Sequence, residues 1–97
     1  MVEYGNHHLH FKCSDVEATA KFYVDNFGGS QLFKAVVRDA PTIALSVAGQ
    51  TLLLSGKAPE DQIESDSAEL RYGLDHWGMV VNDLDAAYAE LKAKGVQ

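Results

Sequence analysis

The chain has 97 residues, a net charge of −6 and 46% hydrophobic residues. That is enough for one globular domain and too apolar for a disordered chain. The acidic balance excludes the basic face that nucleic acid demands. The single cysteine excludes an internal disulfide framework and makes a reduced, cytoplasmic setting the expectation. No apolar run approaches the ~20 residues of a membrane helix, and Met1 to Asn6 carry neither the basic nor the apolar region of a signal peptide.

The first predicted element is a strand over 7–13. Leu9, Phe11 and Cys13 fall on one face, and His8, His10 and Lys12 on the other. Ser14-Asp15-Val16-Glu17 fits a capping box, in which the serine hydroxyl closes the first amides and the Glu sits three residues on. A helix follows with Val16, Ala20, Tyr23 and Phe27 as its apolar face, and Gly28-Gly29 ends it. Three strands come next. Leu32 to Arg38 is one, and Asp39-Ala40-Pro41 is expected to turn the chain. Thr42 to Ala48 alternates, with Ile43, Leu45 and Val47 on one face and Thr42, Ala44, Ser46 and Ala48 on the other. Gly49-Gln50 is expected to turn it again into Thr51 to Ser55.

Residues 1–56 therefore read βαβββ. Residues 57–74 read as an acidic linker, with Glu60, Asp61, Glu64, Asp66 and Glu69 but no Lys or Arg between positions 60 and 69. Most of the net charge is thus local. Residues 75–97 then repeat the opening. An offset of 68 positions sets His8 on His76, Asp15 on Asp83 and Ala18 on Ala86. The same offset sets Leu9, Phe11 and Cys13 on Trp77, Met79 and Val81, so the strand phase and the following helix phase both persist. His76 to Val81 reads as a second strand. Leu84, Tyr88 and Leu91 mark a second helix, and Gly95 stops it. Tyr23, Phe27, Trp77 and Tyr88 are expected in the core, as is Cys13, which is read as packing rather than as a nucleophile. The fold class is α+β: one βαβββ module and the first βα of a second.

These segments resemble the vicinal oxygen chelate superfamily, which includes glyoxalase I, bleomycin-resistance proteins and extradiol dioxygenases. The matching pattern is a strand His, an Asp seven residues later and a helix ending Phe22-Tyr23-x-x-x-Phe27-Gly28, with His76 and Asp83 in the second copy. The resemblance implies two paired βαβββ modules around a cleft that holds a divalent metal: Ni, Zn, Fe, Mn or Co. It places His8 and His76 at the two imidazole positions, each on the strand face opposite the apolar one. The metal would act as a Lewis acid on substrate oxygens.

The resemblance also asks for a carboxylate from a last strand, and Thr51-Leu52-Leu53-Leu54-Ser55 has none. On this pattern the chain is expected to be short of three strands, roughly 30 to 40 residues, and no proton-transfer residue is assigned. His10 and Lys12, beside His8, are the candidates for substrate contact. The implied activity is a metal-dependent, glyoxalase-like lyase or isomerase acting on a small carbonyl or thioester substrate. A non-catalytic small-molecule binder of the bleomycin-resistance type and an Fe(II) dioxygenase are the rivals. A lone module leaves a sheet edge and face uncovered, so a homodimer is expected.

Overall fold

The computed structural model describes residues 1–62, 72–74 and 76–97. It contains β1 (Leu9–Lys12), α1 (Val16–Phe27), β2 (Ser30–Val37), β3 (Ala40–Val47), β4 (Gln50–Ser55) and α2 (Leu84–Ala93). The chain divides into two units, Met1–Gln62 and Ile63–Gln97.

The first unit is a βαβββ module with strand order β1-β4-β3-β2. Hairpins join β2 to β3 and β3 to β4 in antiparallel fashion, whereas β1 lies parallel to β4. That parallel pair needs a crossover, which α1 and the two hairpins supply. The register sets Leu9 against Leu52, Phe11 against Leu54, Leu45 against Leu52 and Ile43 against Leu54. These side chains share the face that α1 covers with Val16 and Ala20. Ile43, Leu45, Val47, Leu52 and Leu54 are each at most 1% exposed and form the centre of the core.

Helix α1 begins one residue later than the capping-box reading implies. Asp15, not Ser14, is the N-cap; its Oδ1 accepts from the Ala18 N–H at 3.0 Å. The cap follows the residue with extended backbone (φ −139°, ψ 98°), which aims a short acceptor at the free amides. The C-terminus closes as expected. Gly28 is left-handed (φ 68°), and the N–H groups of Gly28 and Gly29 both return to the carbonyl of Tyr23.

The turns also fall earlier than expected. Arg38-Asp39 and Ala48-Gly49 are the two-residue turns, all four with positive φ, the backbone that right-twisted hairpins require. Ala40 and Pro41 instead start β3, where the Pro41 carbonyl accepts from the Gly56 N–H at 2.9 Å.

The first unit runs on to Gln62. Ala58 is 7% exposed, its N–H donates to Asp61 Oδ2 at 3.0 Å, and its carbonyl accepts from the Asp61 N–H. The beginning of the acidic stretch is thus a closed turn; Glu64, Asp66 and Glu69 lie outside the described residues.

In the second unit α2 forms as expected, capped by Asp83 Oδ1 on the Ala86 N–H at 3.0 Å. Residues 76–81, expected as a strand, are not in one. A strand exists only against a partner, and no strand is present among this unit's described residues. For the same reason Tyr88, expected in the core, is 67% exposed and Leu84 75% exposed, whereas their counterparts Ala20 and Val16 are buried under the sheet.

Candidate functional site

The sheet face opposite α1 carries the polar side chains. Alternation along β1 puts His10 and Lys12 there, and His8 precedes them in the same phase. The parallel register sets His10 against Leu53 and Lys12 against Ser55. A cavity of about 690 Å³ opens on this face and is bordered by His8, His10 and Lys12. Its floor is Leu53, Ser55 and Thr42, with Phe33 and Val37 from β2.

Each polar group is held. His10 Nε2 lies 2.6 Å from Ser55 Oγ, and Ser55 is only 3% exposed, so the serine fixes an otherwise exposed ring. The Lys12 ammonium donates to the carbonyl of Gly56 at 3.2 Å. The Thr42 hydroxyl donates to the Ala40 carbonyl at 3.2 Å. His8 Nδ1 lies 2.7 Å from His7 Nδ1, with the rings edge to face. One ring must donate and the other accept, which leaves His8 Nε2 for any further partner.

Cys13 lies on the opposite face, half-buried. Burial pushes its thiol up, against the smaller opposing effects of Thr19 and the Ser55 backbone. A thiol kept protonated is a poor nucleophile, in line with a packing role. Burial, followed by the neighbouring Cys13, likewise pushes the Tyr23 hydroxyl up.

The structure thus gathers His8, His10 and Lys12 at one cavity, while His76 stands in the second unit. Ser55, Arg38, Glu60 and Asp61, which also border the cavity, were not among the sequence candidates. Alternation along β4 puts Ser55 on the same face as Leu53; what the sequence lacked was the pairing of β4 with β1, a contact across 45 residues.

The model for the Glyoxalase/Bleomycin resistance protein/Dioxygenase superfamily matches residues 5–97. The chain belongs to this superfamily. No curated protein matches it. Among solved structures, it is similar to a glyoxylase/bleomycin resistance protein/dioxygenase domain from Frankia (TM-score 0.75, 19% identity, covering 97% of this chain and 71% of that one). It is also similar to a glyoxalase family protein from Enterococcus faecalis (TM-score 0.75, 22% identity, 96% and 74%). A third is the fosfomycin resistance protein FosX from Listeria monocytogenes, crystallised with Mn(II) and sulfate (TM-score 0.68, 15% identity, 99% and 75%). These likenesses establish the fold. The α+β class and the one-module-plus-βα reading agree with them.

A metal is the group this superfamily brings to mind, and the donors here do not close a site for it. Among the described residues no group of three or more His, Cys, Asp or Glu side chains could hold a metal ion. β4 offers Thr51 and Ser55 where a carboxylate would be needed, and neutral hydroxyls are poor partners for a divalent transition metal.

Proposed function

We propose that the chain is the scaffold of a glyoxalase-like, metal-dependent lyase or isomerase acting on a small carbonyl or thioester substrate. In this reading His8 and His76 are metal ligands, and a carboxylate from outside the described residues, or from a second copy in a homodimer, completes the set. The observation that carries it is the convergence of His8, His10 and Lys12 on one cavity of a glyoxalase-superfamily module. The Mn(II)-bound FosX relatives support divalent metal use. Lys12 contributes a positive charge for the oxyanion of a carbonyl substrate. Ser55 keeps the His10 ring turned so that one edge meets the serine and the other meets the cavity.

Elemental analysis of the purified protein, with light scattering to give its mass, tests this. Near-stoichiometric divalent metal that is lost in His8→Ala and in His76→Ala supports it. Absence of metal after soaking with Mn, Ni, Zn, Fe and Co salts overturns it. Among the described residues β1 and β2 are the edge strands of the sheet, which offers backbone for a dimer contact; a stable monomer at micromolar concentration would remove the homodimer.

A second reading, a non-catalytic binder of the bleomycin-resistance type, draws on the apolar part of the same cavity. Phe33 and Val37 remain 47% and 45% exposed beside Leu53, a surface suited to an organic ligand. The Fe(II) dioxygenase reading needs the same carboxylate that β4 does not supply.

A further inference from the structure

Ser55 and His10 meet at the open-face cavity, and both border it. The serine hydroxyl lies 2.6 Å from His10 Nε2, the reach at which an imidazole takes the proton of a nucleophile. Two buried hydroxyls face this cavity, and they are used differently. Thr42 spends its hydrogen on the backbone, donating to the Ala40 carbonyl. Ser55 is aimed at a ring instead, and among the described residues its hydroxyl has no other partner. The hydroxyl therefore donates to Nε2, and the ring hydrogen sits on Nδ1. That is the tautomer in which the imidazole can act as a base.

The backbone holds the serine in place. Its carbonyl accepts from the Cys13 N–H at 2.8 Å, and the register sets it between Lys12 of β1 and Thr42 of β3. Lys12 adds a charge beside it. The Lys12 ammonium is anchored on the carbonyl of Gly56, the next residue in the chain, and borders the same cavity. A cation fixed there favours negative charge on a carbonyl attacked by the serine. A nucleophile, a base and a cation are thus gathered at one small cavity, and none of the three is a metal ligand in the reading above.

We propose that Ser55 is a nucleophile activated by His10, and that this cavity transfers a small acyl group from an activated ester or thioester to water without a metal. Ser55 Oγ attacks the acyl carbon as its proton passes to His10 Nε2. The oxyanion is stabilised by Lys12 and collapses, breaking the bond to the leaving oxygen or sulfur, which takes the proton from His10. Water then attacks the acyl-serine, its proton passes through His10 to the departing Ser55 oxygen, and the carboxylic acid is released. Among the described residues no carboxylate is bonded to the ring's other nitrogen, so the pair is a dyad and turnover is slow. The activity goes beyond the metal-dependent reading and shares only its cavity.

A small alkyl fluorophosphonate tests this on the full, metal-stripped chain. Attack by Ser55 forms an O–P bond and releases fluoride, and peptide mass spectrometry should place the adduct on Ser55. Unfolding in urea should abolish the labelling. His10→Gln should slow it about a hundredfold or more, the size of a general-base contribution. His10 is exposed, so this variant keeps the core, and circular dichroism verifies its fold. With p-nitrophenyl acetate the folded chain should release a burst of up to about one equivalent of p-nitrophenol, and Ser55→Ala should remove the burst. No adduct on the folded chain, an adduct only on other residues, or equal labelling of the His10→Gln or unfolded chain overturns the proposal. Metal loading without Ser55 labelling would sink this inference alone, and labelling without metal loading would sink the metal-dependent reading alone.

Discussion

His10 and Ser55 are joined by a 2.6 Å hydrogen bond across the parallel pair β1–β4. The serine is 3% exposed and the imidazole is open to the cavity, so a buried hydroxyl on the cavity floor sets the posture of a surface ring. Ser55→Ala removes that anchor without creating a buried unsatisfied group, because the partner ring reaches solvent. The expected loss of stability is about 1 kcal/mol, read by urea denaturation. The sharper readout is local: the His10 ring signals in an NMR spectrum should move and broaden while those of His7 stay. An unchanged His10 spectrum would show that the bond does not hold the ring.

The paired helix caps predict an asymmetric pair of variants. Asp15 and Asp83 make the same 3.0 Å bond to the amide three residues on. Asp15→Ala should lower the melting transition of the first unit by an amount equivalent to about 1 kcal/mol, since α1 is anchored to a buried core. Asp83→Ala should leave that transition in place and reduce far-UV helical signal instead. Helix α2 has ten residues and none of them buried, and a helix that short holds poorly without its cap. Equal shifts of the main transition in both variants would contradict this.

Cys13 predicts an alkaline limit. Burial raises its native pKa above the ordinary 9.0, so above about pH 9 the unfolded chain releases a proton that the native chain retains. The native state then binds more protons, and stability falls as pH rises through the interval between the two values. Tyr23, raised for the same reason from 10.0, extends the fall upward. Denaturation midpoints measured from pH 7 to 11 should decline above pH 9, and Cys13→Ser should flatten the first part of the decline. Alkylation of Cys13 by iodoacetamide at pH 8.5 should also be slower in the native chain than in urea. Equal rates would place the thiol in free solvent.

The local elements were legible because their signals are local. Alternation through Leu9, Phe11 and Cys13 found the first strand, helical spacing from Val16 to Phe27 found α1, and the offset linking His8 to His76 found the repeat. The residual errors are shifts of one or two positions at caps and turns, where Asp15 competes with Ser14 and where Arg38 and Asp39 both accept positive φ. What local pattern could not supply is proximity. Ser55 meets His10, and Glu60 comes to the cavity of Lys12, only because β4 lies beside β1. The converse failure is residues 76–81: their alternation is as clear as that of β1, but alternation marks a face to be buried, and among the described residues of their unit there is no strand for them to pair with.

Ala48 is one of three non-glycine residues described with positive φ, the others being Arg38 and Asp39. It sits at φ 51° in the turn before Gly49, where a methyl group crowds the following carbonyl at a cost of roughly 1–2 kcal/mol. Arg38 and Asp39 make the equivalent turn between β2 and β3, and there Asp39 can stabilise the left-handed conformation with its own side chain. Ala48→Asn should therefore stabilise the module by about 0.5–1 kcal/mol, since Asn-Gly is the favoured pair for this turn. For a unit of this size that corresponds to a rise of roughly 2–8 °C in Tm. Asn is a better test than Gly, which would relax the native strain but also enlarge the unfolded ensemble. The substitution lies at the opposite end of β3 from Thr42, so binding at the cavity should be unaffected. A Tm that stays the same or falls would mean that the turn carries no strain at Ala48.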